Sequence, residues 1–173
     1  SPACAGATRF SLTGGTGWGR LSLLMLEEVL SEELVICGLD ASTGTEVIDA
    51  LLDAICKSGG VHDREQARSD VLANEKRSST GMQHGVAIPH AKTSAVDRLH
   101  AAAAVTSRPV DFDSLDGKPC NIFIMTLSPV DQTGPHMRFL AEVGRLLKSK
   151  RNRKAVLAAS GRAELLRALI GSR

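Results

Sequence analysis

Several features are missing from this chain of 173 residues, and each absence excludes a class of protein. Its four cysteines form no Cys-x-x-Cys pair, and Cys37 and Cys56 lie inside apolar runs. This pattern favours buried reduced thiols in a cytosolic protein over a disulfide framework. A formal charge of only +2, with no long block of lysine and arginine, argues against nucleic acid as a partner.

Long apolar runs and phosphate-binding loops are missing as well. The nearest candidate for a membrane span, residues 21–30, is interrupted by Glu27 and Glu28, so we expect no direct insertion into a membrane. The glycine-rich stretch 14–19 follows no predicted strand and precedes no Gly-Lys-Ser/Thr, which argues against a nucleotide-binding loop. We expect residues 1–20 to be a poorly ordered tail, leader or expression remnant, and residues 21–173 to form one domain.

The rest of the chain has patterns typical of an α/β protein. A short apolar run predicts a buried strand over 34–39. Thr43 and Glu46 fit a capping box at the start of a helix, which a Gly-Gly pair then ends. A second, more polar helix is predicted over about 63–76.

The second half of the chain continues this interleaving. Residues 99–106 are rich in alanine, which favours a helix, but the run is short and lies between two predicted strands, so we expect a strand. The further expected elements are a loop over 107–120, a strand over 121–127, a loop over 128–134, a long helix from Pro135, and short helices over about 152–159 and 162–170. Phe112, Phe123 and Phe139 are expected in the core. The predicted fold is a single-domain mixed sheet flanked by helices.

The most informative stretch is 80–92, in which an apolar run ends at Pro89 and His90 follows at once. Because proline fixes φ and has no N–H to give to a sheet, we expect Pro89 to end the strand and to hold His90 at its rim. An imidazole placed in this way is open to a reacting partner, and histidines titrate near neutral pH. The pattern therefore makes His90 a candidate nucleophile.

A second histidine follows the other clear strand. Proline favours the first position of a helix, so Pro135 would place His136 in a first turn whose free N–H groups and dipole favour an anion. If the strands before His90 and His136 are neighbours, two imidazoles meet beside this helix end. Phosphoryl transfer suits that arrangement, since one ring attacks phosphorus while the other helps to hold the charge on the equatorial oxygens. Ser79 and Thr80 are candidate hydroxyl donors to the ring or the phosphate.

Each histidine also has a structural interpretation. Taken alone, His90 after a proline is more often a loop residue, and His136 is more often a polar residue at a helix start. A zinc site made by His84, His90 and His136 is a further alternative, but the carboxylates over 111–116 have no recognisable ligand spacing.

Residues 79–90, Ser-Thr-Gly-Met-Gln-His-Gly-Val-Ala-Ile-Pro-His, resemble the phosphorylation-site signature of the fructose/mannitol-type enzyme IIA of the bacterial phosphoenolpyruvate:sugar phosphotransferase system, a group that includes the nitrogen-regulatory enzyme IIA. The resemblance covers roughly residues 22–170, and 128–147 is similar to the family's second-histidine region. It implies the family's fold, with His90 as the phospho-acceptor and His136 as the neighbouring active-site histidine. It also implies histidine-phosphorylated HPr, or a relative of it, as the donor and, in the sugar-transport members, a cysteine of an enzyme IIB as the acceptor.

The chain departs from the family pattern ahead of this signature. The family usually has an Arg-Glu pair there, whereas this sequence has Asn74 and Glu75. Arg77, three residues after Asn74, reaches the same face if the helix continues, and is therefore the candidate for supporting the phosphate. His84 stands where the family tends to have asparagine or glutamate, either as a neutral surface substitution or as an influence on a local pKa.

Two functions follow from the resemblance. The first is a cytoplasmic phosphoryl carrier for sugar uptake, which needs no metal or organic cofactor because both donor and acceptor are protein side chains. The alternative is a stand-alone regulatory enzyme IIA of the nitrogen type, in which phosphorylation of His90 controls the binding of a partner protein.

Overall fold

The computed structural model describes residues 24–171. In chain order the elements are α1 (Leu24–Val29), a 3-10 turn (Glu32–Leu34), β1 (Val35–Leu39), α2 (Gly44–Lys57), α3 (Arg64–Arg77), β2 (Val86–Ala87), β3 (His90–Lys92), β4 (His100–Val110), β5 (Cys120–Ser128), α4 (Thr133–Lys148), α5 (Lys150–Ala158) and α6 (Arg162–Ile170). Helices flank a mixed sheet, so the predicted α/β class is confirmed. The expectations for residues 1–20 and for the glycine-rich stretch 14–19 lie outside the described residues.

The sheet is organised around β5. Its strands lie in the order β1–β4–β5–β2, and β3 also pairs with β5. β4 runs antiparallel to β5, whereas β1 is parallel to β4, and both β2 and β3 are parallel to β5. Because β5 is paired on both sides and covered by α4 and α5, nearly all of it is buried. This explains its continuous apolar run, and the strand predicted over 121–127 is confirmed.

The alanine-rich segment is also a strand, as expected. Ala101 to Ala104 are buried between β1 and β5, where ladder pairing on both sides outweighs the helix propensity of alanine. However, β4 continues through Pro109, so the loop predicted from residue 107 begins only at Asp111. The pairing between β4 and β5 is irregular between Val105 and Val110, and Pro109 therefore removes no regular ladder bond.

The first two predicted helices are confirmed with their caps. Thr43 is the N-cap of α2, and its side chain accepts a hydrogen bond from the N–H of Glu46 at 3.2 Å. The Glu46 carboxylate accepts from the N–H of Ser42 at 2.6 Å, one residue earlier than in the standard capping box. Asp63 caps α3 in the same way and accepts from the N–H of Gln66 at 3.0 Å.

The sequence expectation about Pro89 was right in part. β2 ends at Ala87, before Pro89, but a second strand that was not predicted, β3, begins at His90. Both short strands keep one register on β5, since Val86 pairs with Ile122 and His90 pairs with Thr126. Proline lacks an N–H but keeps its carbonyl, and the Pro89 oxygen accepts from the N–H of Thr126 at 3.1 Å. His90 therefore follows the end of β2, as expected, but it is itself the first residue of a paired strand.

Helix α4 also begins earlier than predicted. It starts at Thr133, so Pro135 occupies the third position instead of the first. Proline is tolerated there because the first-turn N–H groups have no intrahelical acceptor, and Thr133 and Gly134 keep such N–H groups. The two short C-terminal helices lie close to their predicted ranges, whereas α1 and the 3-10 turn were not predicted. The three phenylalanines are buried, as expected.

Candidate functional site: two histidines at the sheet edge

His90 is the first residue of β3, and a hydrogen bond fixes its ring. Its Nδ1 atom lies 2.8 Å from the carbonyl oxygen of Ile88. A carbonyl oxygen only accepts, so Nδ1 carries the proton and donates it. The lone pair of the neutral ring is therefore on Nε2. The half-buried imidazole is thus held in one tautomer, and its Nε2 atom is the nitrogen that could attack an electrophile.

His136 lies in the first turn of α4 and is only 4% exposed. Its Nδ1 atom lies 2.8 Å from the hydroxyl oxygen of Ser128 at the end of β5. Its backbone N–H donates to the carbonyl of Gln132 at 3.4 Å, so this N–H is not free for an anion, unlike the sequence expectation. Burial, followed by the nearby charges of His90 and Lys92, lowers the pKa of His136 to about 4. The ring is therefore neutral at neutral pH.

The structure brings the two imidazoles together. β3 pairs directly with β5, so that His90 lies beside Thr126, two residues before Ser128. The ring centroids of His90 and His136 are 5.4 Å apart, and the ring planes are tilted by 55°. Because His136 is neutral, the two rings approach without repulsion between like charges.

A cavity of about 450 Å³ borders both rings, and its charged side chains are mainly basic. Arg77 from the end of α3 and Lys92 from β3 line it, against one carboxylate, that of Asp70. The Lys92 ammonium group donates a hydrogen bond to the hydroxyl of Thr133, the first residue of α4. Two cations and a helix start therefore border the space in front of the histidines, where an anion is favoured.

Sequence reasoning missed Lys92. Residues i and i+2 of a strand share a face, so Lys92 follows His90 onto the same side of the sheet. The expectation that the strand ends at Pro89 hid this relation, because it did not foresee a strand that begins at His90.

Asn74 occupies the position at which the family usually has an arginine, and it joins His90 to Arg77. Its Nδ2 atom donates to the carbonyl of His90 at 2.9 Å, and its Oδ1 atom accepts from Nη2 of Arg77 at 2.7 Å. Helix α3 does continue to Arg77. Arg77 lines the first cavity and a second one of about 380 Å³ that His90 also borders. A guanidinium group at this position is suited to binding a phosphate, because it can donate two parallel hydrogen bonds to two phosphate oxygens.

The hydroxyls of Ser79 and Thr80 hold the loop before β2. Ser79 donates to the carbonyl of Phe112 at 2.9 Å and accepts from the N–H of Gly81 at 3.1 Å. The Glu75 carboxylate accepts from both the hydroxyl and the N–H of Thr80, at 2.6 and 2.8 Å. Both residues line the second cavity, and neither lines the cavity that His136 borders. In this structure their hydroxyls are thus engaged within the protein, and a contact with phosphate stays a prediction.

Backbone geometry explains the glycines of the signature. A Cβ atom on Gly81 would lie 2.7 Å from the carbonyl oxygen of Phe112, so no larger residue fits without movement. Gly85 has φ of +76°, and His84 before it has φ of 65°. Asparagine and histidine are among the residues that tolerate this left-handed conformation. The N–H of His84 donates to the carboxylate of Asp116 at 3.0 Å, which anchors the turn.

His84 does not join the other two histidines. It is exposed and lines a different cavity, together with Leu115 and Lys148. Within residues 24–171, no three or more His, Cys, Asp or Glu side chains are grouped so that they could hold a metal ion. The zinc-site alternative therefore has no support in this part of the chain.

The described cysteines are free thiols, and Cys120 is buried. Burial raises the pKa of Cys120 to about 11, so that thiol stays protonated and unreactive. In the same range of residues, no helix combines the length and the apolar character that crossing a membrane requires.

The site suits a chemistry in which histidine carries a phosphoryl group, because His90 has its lone pair on Nε2 and borders a cavity that two cationic side chains also line. The family model described as "Phosphoenolpyruvate-dependent sugar phosphotransferase system, EIIA 2" matches residues 28–171. The chain belongs to this family, as the signature of residues 79–90 indicated.

Known relatives agree with this membership. The chain is 33% identical over 130 residues to the "PTS system fructose-specific EIIA component" of Haloferax volcanii, covering 75% of this chain and 84% of that protein. It is 30% identical over 136 residues to the "PTS system fructose-specific EIIABC component" of Bacillus subtilis, covering 79% of this chain. It spans only 21% of the length of that B. subtilis protein.

A solved structure with the same fold has a regulatory name. The crystal structure of "Nitrogen Regulatory Protein IIA-Ntr" from Neisseria meningitidis superposes with a TM-score of 0.74 at 25% identity. The match covers 84% of this chain and 99% of that one. Both branches of the family, the sugar-specific and the nitrogen-regulatory, are thus represented among the similar proteins.

Proposed function

We propose that this protein is a phosphohistidine carrier, which accepts a phosphoryl group from HPr on His90 and passes it to a cysteine of an enzyme IIB during sugar uptake in the cytoplasm. The hydrogen bond from Nδ1 of His90 to the Ile88 carbonyl is the observation that carries this proposal. It leaves Nε2 with a lone pair, so no base has to remove a proton before attack. The fructose-specific names of the two relatives support the sugar branch.

In the accepting step, Nε2 of His90 attacks the phosphorus of phosphorylated HPr in line with the P–N bond of the donor. A new P–N bond forms while the old one breaks, and the leaving ring of HPr takes back its electron pair. The ring of His90 becomes more positive, and the Ile88 carbonyl stabilises it through Nδ1–H. Arg77 and Lys92 offset the negative charge of the equatorial oxygens.

In the donating step, a cysteine thiolate of enzyme IIB attacks the same phosphorus. A P–S bond forms, the P–Nε2 bond breaks, and His90 recovers its lone pair. Since both reacting groups are protein side chains, the proposal includes no metal and no organic cofactor.

The alternative function is that of a stand-alone nitrogen-type regulator, whose phosphorylation state at His90 controls binding of a partner protein. The structural match to the regulatory protein of N. meningitidis favours this alternative. A dianionic group on His90 would change the charge of a surface that now carries Arg77 and Lys92, and a partner could sense this change.

The carrier function is tested by incubating the protein with phosphoenolpyruvate, enzyme I and HPr and measuring intact mass. We expect the gain of one phosphoryl group that is labile in acid and stable in base. His90→Ala should abolish the gain, whereas His62→Ala, which changes an exposed histidine outside the site, should retain it. Normal labelling of His90→Ala would contradict the assignment of the acceptor, and no labelling of the folded wild-type protein by competent HPr would refute the carrier function.

The acceptor distinguishes the two functions. Rapid loss of label to a purified enzyme IIB, with phosphocysteine formed there, would establish the sugar branch. Retention of the label in the presence of enzyme IIB, together with a partner that binds only one phosphorylation state, would establish the regulatory branch.

A further inference from the structure

Thr126 and Ser128 carry two hydroxyl groups on one face of β5, opposite the strand that contains His90. Thr126 pairs with His90 and Ser128 pairs with Lys92, and residues paired in this way present their side chains on the same face of a sheet. Both are buried, with Thr126 0% and Ser128 1% exposed. Their circumstances differ, because the Ser128 hydroxyl contacts His136 whereas the Thr126 hydroxyl has no hydrogen-bond partner among residues 24–171.

The direction of the hydrogen bond between Ser128 and His136 follows from counting protons. In the described part of the chain, Nδ1 of His136 is the one group that the Ser128 hydroxyl contacts within hydrogen-bond distance. If the imidazole were the donor, the serine proton would be buried without an acceptor, which is the unfavourable case. If serine is the donor, its proton has an acceptor, and the imidazole proton is on the other nitrogen, Nε2.

We propose that Ser128 is a positioning residue that holds His136 in the Nε2–H tautomer, so that His136 donates this N–H to an oxygen of the phosphoryl group on His90. The last step rests on the proposed function. The two rings then have complementary tautomers, because His90 offers a lone pair to phosphorus and His136 offers a proton to oxygen. The opposite tautomer of His136 would turn a lone pair toward the phosphoryl oxygens and repel them.

The charge state of His136 makes this assignment consequential. The groups that face it are the ring of His90 and the ammonium group of Lys92, and together with burial they keep His136 neutral. A neutral imidazole has one N–H only, so its usefulness as a donor depends on which nitrogen carries the proton. An imidazolium would carry protons on both nitrogens and would not need Ser128.

Thr126 provides a matched control, two residues earlier on the same face of the same strand. Replacing Ser128 with alanine removes the hydroxyl that contacts His136, whereas Thr126→Val removes a hydroxyl that contacts no polar group. Both variants delete one buried oxygen from the same strand. A merely structural effect would appear in both, whereas a tautomer effect should appear in Ser128→Ala alone.

The experiment has two readouts, the ring protons of His136 by long-range ¹H–¹⁵N NMR of the unphosphorylated protein, and the rate of transfer from phosphorylated HPr. In the wild type at neutral pH we expect His136 as the Nε2–H tautomer. Ser128→Ala should give a mixture of tautomers and slow the transfer by about tenfold, the effect of one lost hydrogen bond in the transition state. Thr126→Val should change neither readout.

Either of two results would overturn the proposal. One is the observation that His136 of the wild type is the Nδ1–H tautomer or an imidazolium. The other is that Ser128→Ala has the same His136 tautomer and the same transfer rate as the wild type. The amide spectrum of each variant reports whether the fold is intact. The two proposals can fail separately. If the wild-type protein accepts no phosphoryl group, the carrier function and the donor role of His136 are both refuted. The NMR measurement would still decide whether Ser128 sets the tautomer of His136.

Discussion

A single hydrogen bond fixes the tautomer of the His90 ring. Because Nδ1 donates to the Ile88 carbonyl, only Nε2 has a free lone pair. We therefore predict that the phosphorylated protein carries its phosphoryl group on Nε2 of His90, which ¹⁵N and ³¹P NMR of the labelled protein would identify. A phosphoryl group on Nδ1 would require that the bond to Ile88 breaks first, and would contradict this geometry.

Thr126 gives a prediction about stability. Its hydroxyl is buried without a partner, which is unfavourable compared with a methyl group of the same size. Thr126→Val should therefore raise the free energy of unfolding, by about 1 kcal/mol, in urea denaturation.

The control is Thr93, an equally buried threonine whose hydroxyl accepts from the N–H of Ala95 at 3.2 Å. Thr93→Val leaves that N–H without its acceptor and should lower the free energy of unfolding by about 1 kcal/mol. If both replacements changed the free energy of unfolding equally, the hydrogen bond of the threonine hydroxyl would not determine the effect.

His136 makes stability depend on pH. The pKa of this ring is lowered from 6.5 to about 4 in the folded protein, so the unfolded chain binds the proton more readily. The stabilisation is present above about pH 6.5 and is lost as pH falls toward about 4. Between about pH 7 and about pH 5, we expect the free energy of unfolding to decrease by about 2 kcal/mol from this ring.

The variant His136→Gln, which cannot titrate, separates this contribution from the others. Burial raises the pKa of the Glu142 carboxyl, and that group acts in the opposite direction, since its protonation favours the folded state. Both proteins share Glu142, so the difference between their pH profiles belongs to His136. Parallel profiles in urea titrations would mean that the ring is not held neutral by the fold.

At the scale of elements, the end of α3 matters most for the site. Asn74 links the carbonyl of His90 to the guanidinium of Arg77. We predict that Arg77→Gln slows transfer from HPr by roughly tenfold to a hundredfold because a cation beside the phosphoryl oxygens is lost, and that Asn74→Ala slows it less because Arg77 keeps its charge.

Lys76→Gln is the matched control, because Lys76 is a cation on the same helix that lines neither cavity beside His90. It should leave the transfer rate within about twofold of the wild type, since an exposed charge away from the site is strongly screened. Stopped-flow or quenched mass measurements of the three variants would rank these effects. If Lys76→Gln were as slow as Arg77→Gln, net charge rather than the position of Arg77 would be responsible.

Elements with strong local signals were predictable from the sequence. The caps of α2 and α3 and the apolar run of β5 are local patterns, and the structure contains all of them. The errors lie near prolines. β3 after Pro89 was not predicted, Pro109 belongs to β4 rather than to the expected loop, and Pro135 is the third residue of α4 rather than its first. The missing N–H of a proline disrupts a sheet only where a neighbouring strand would accept its hydrogen bond. Which backbone groups pair between strands cannot be seen in the sequence.

The two histidines of the site could be picked out from local sequence patterns. Each follows a strong strand signal, and the family signature marks His90. The contacts of Asn74, Lys92 and Ser128 were not predictable, because each joins separate elements of the fold. The reach of Arg77 was predictable only under the condition that α3 continues, which it does.

At the scale of the whole molecule, the proposed function requires that another protein can reach the surface around His90. Met137, which is 57% exposed, lines the cavity beside the two histidines. An exposed apolar side chain at that position is suited to contact a docked protein. We predict that Met137→Glu raises the KM for phosphorylated HPr several-fold without lowering the free energy of unfolding.

Leu157 on α5 is the matched control, at 49% exposed and outside both cavities that His90 borders. Leu157→Glu introduces the same charge on a similarly exposed apolar residue and should leave the KM unchanged. Steady-state phosphorylation with HPr at varied concentration distinguishes the two. An equal rise in both variants would point to long-range repulsion of HPr instead of a docking contact.

The central position of β5 has a consequence for motion. The N–H of Thr126 is bonded to Pro89, the N–H of Ile122 is bonded to Gly85, and the opposite edge of β5 is bonded to β4. Amide hydrogens of such a central strand are typically among the slowest to exchange with solvent, and we expect the same of β5. Fraying of a terminal helix such as α6 is therefore expected to leave the pairing of β3 with β5, and with it the position of His90, unchanged.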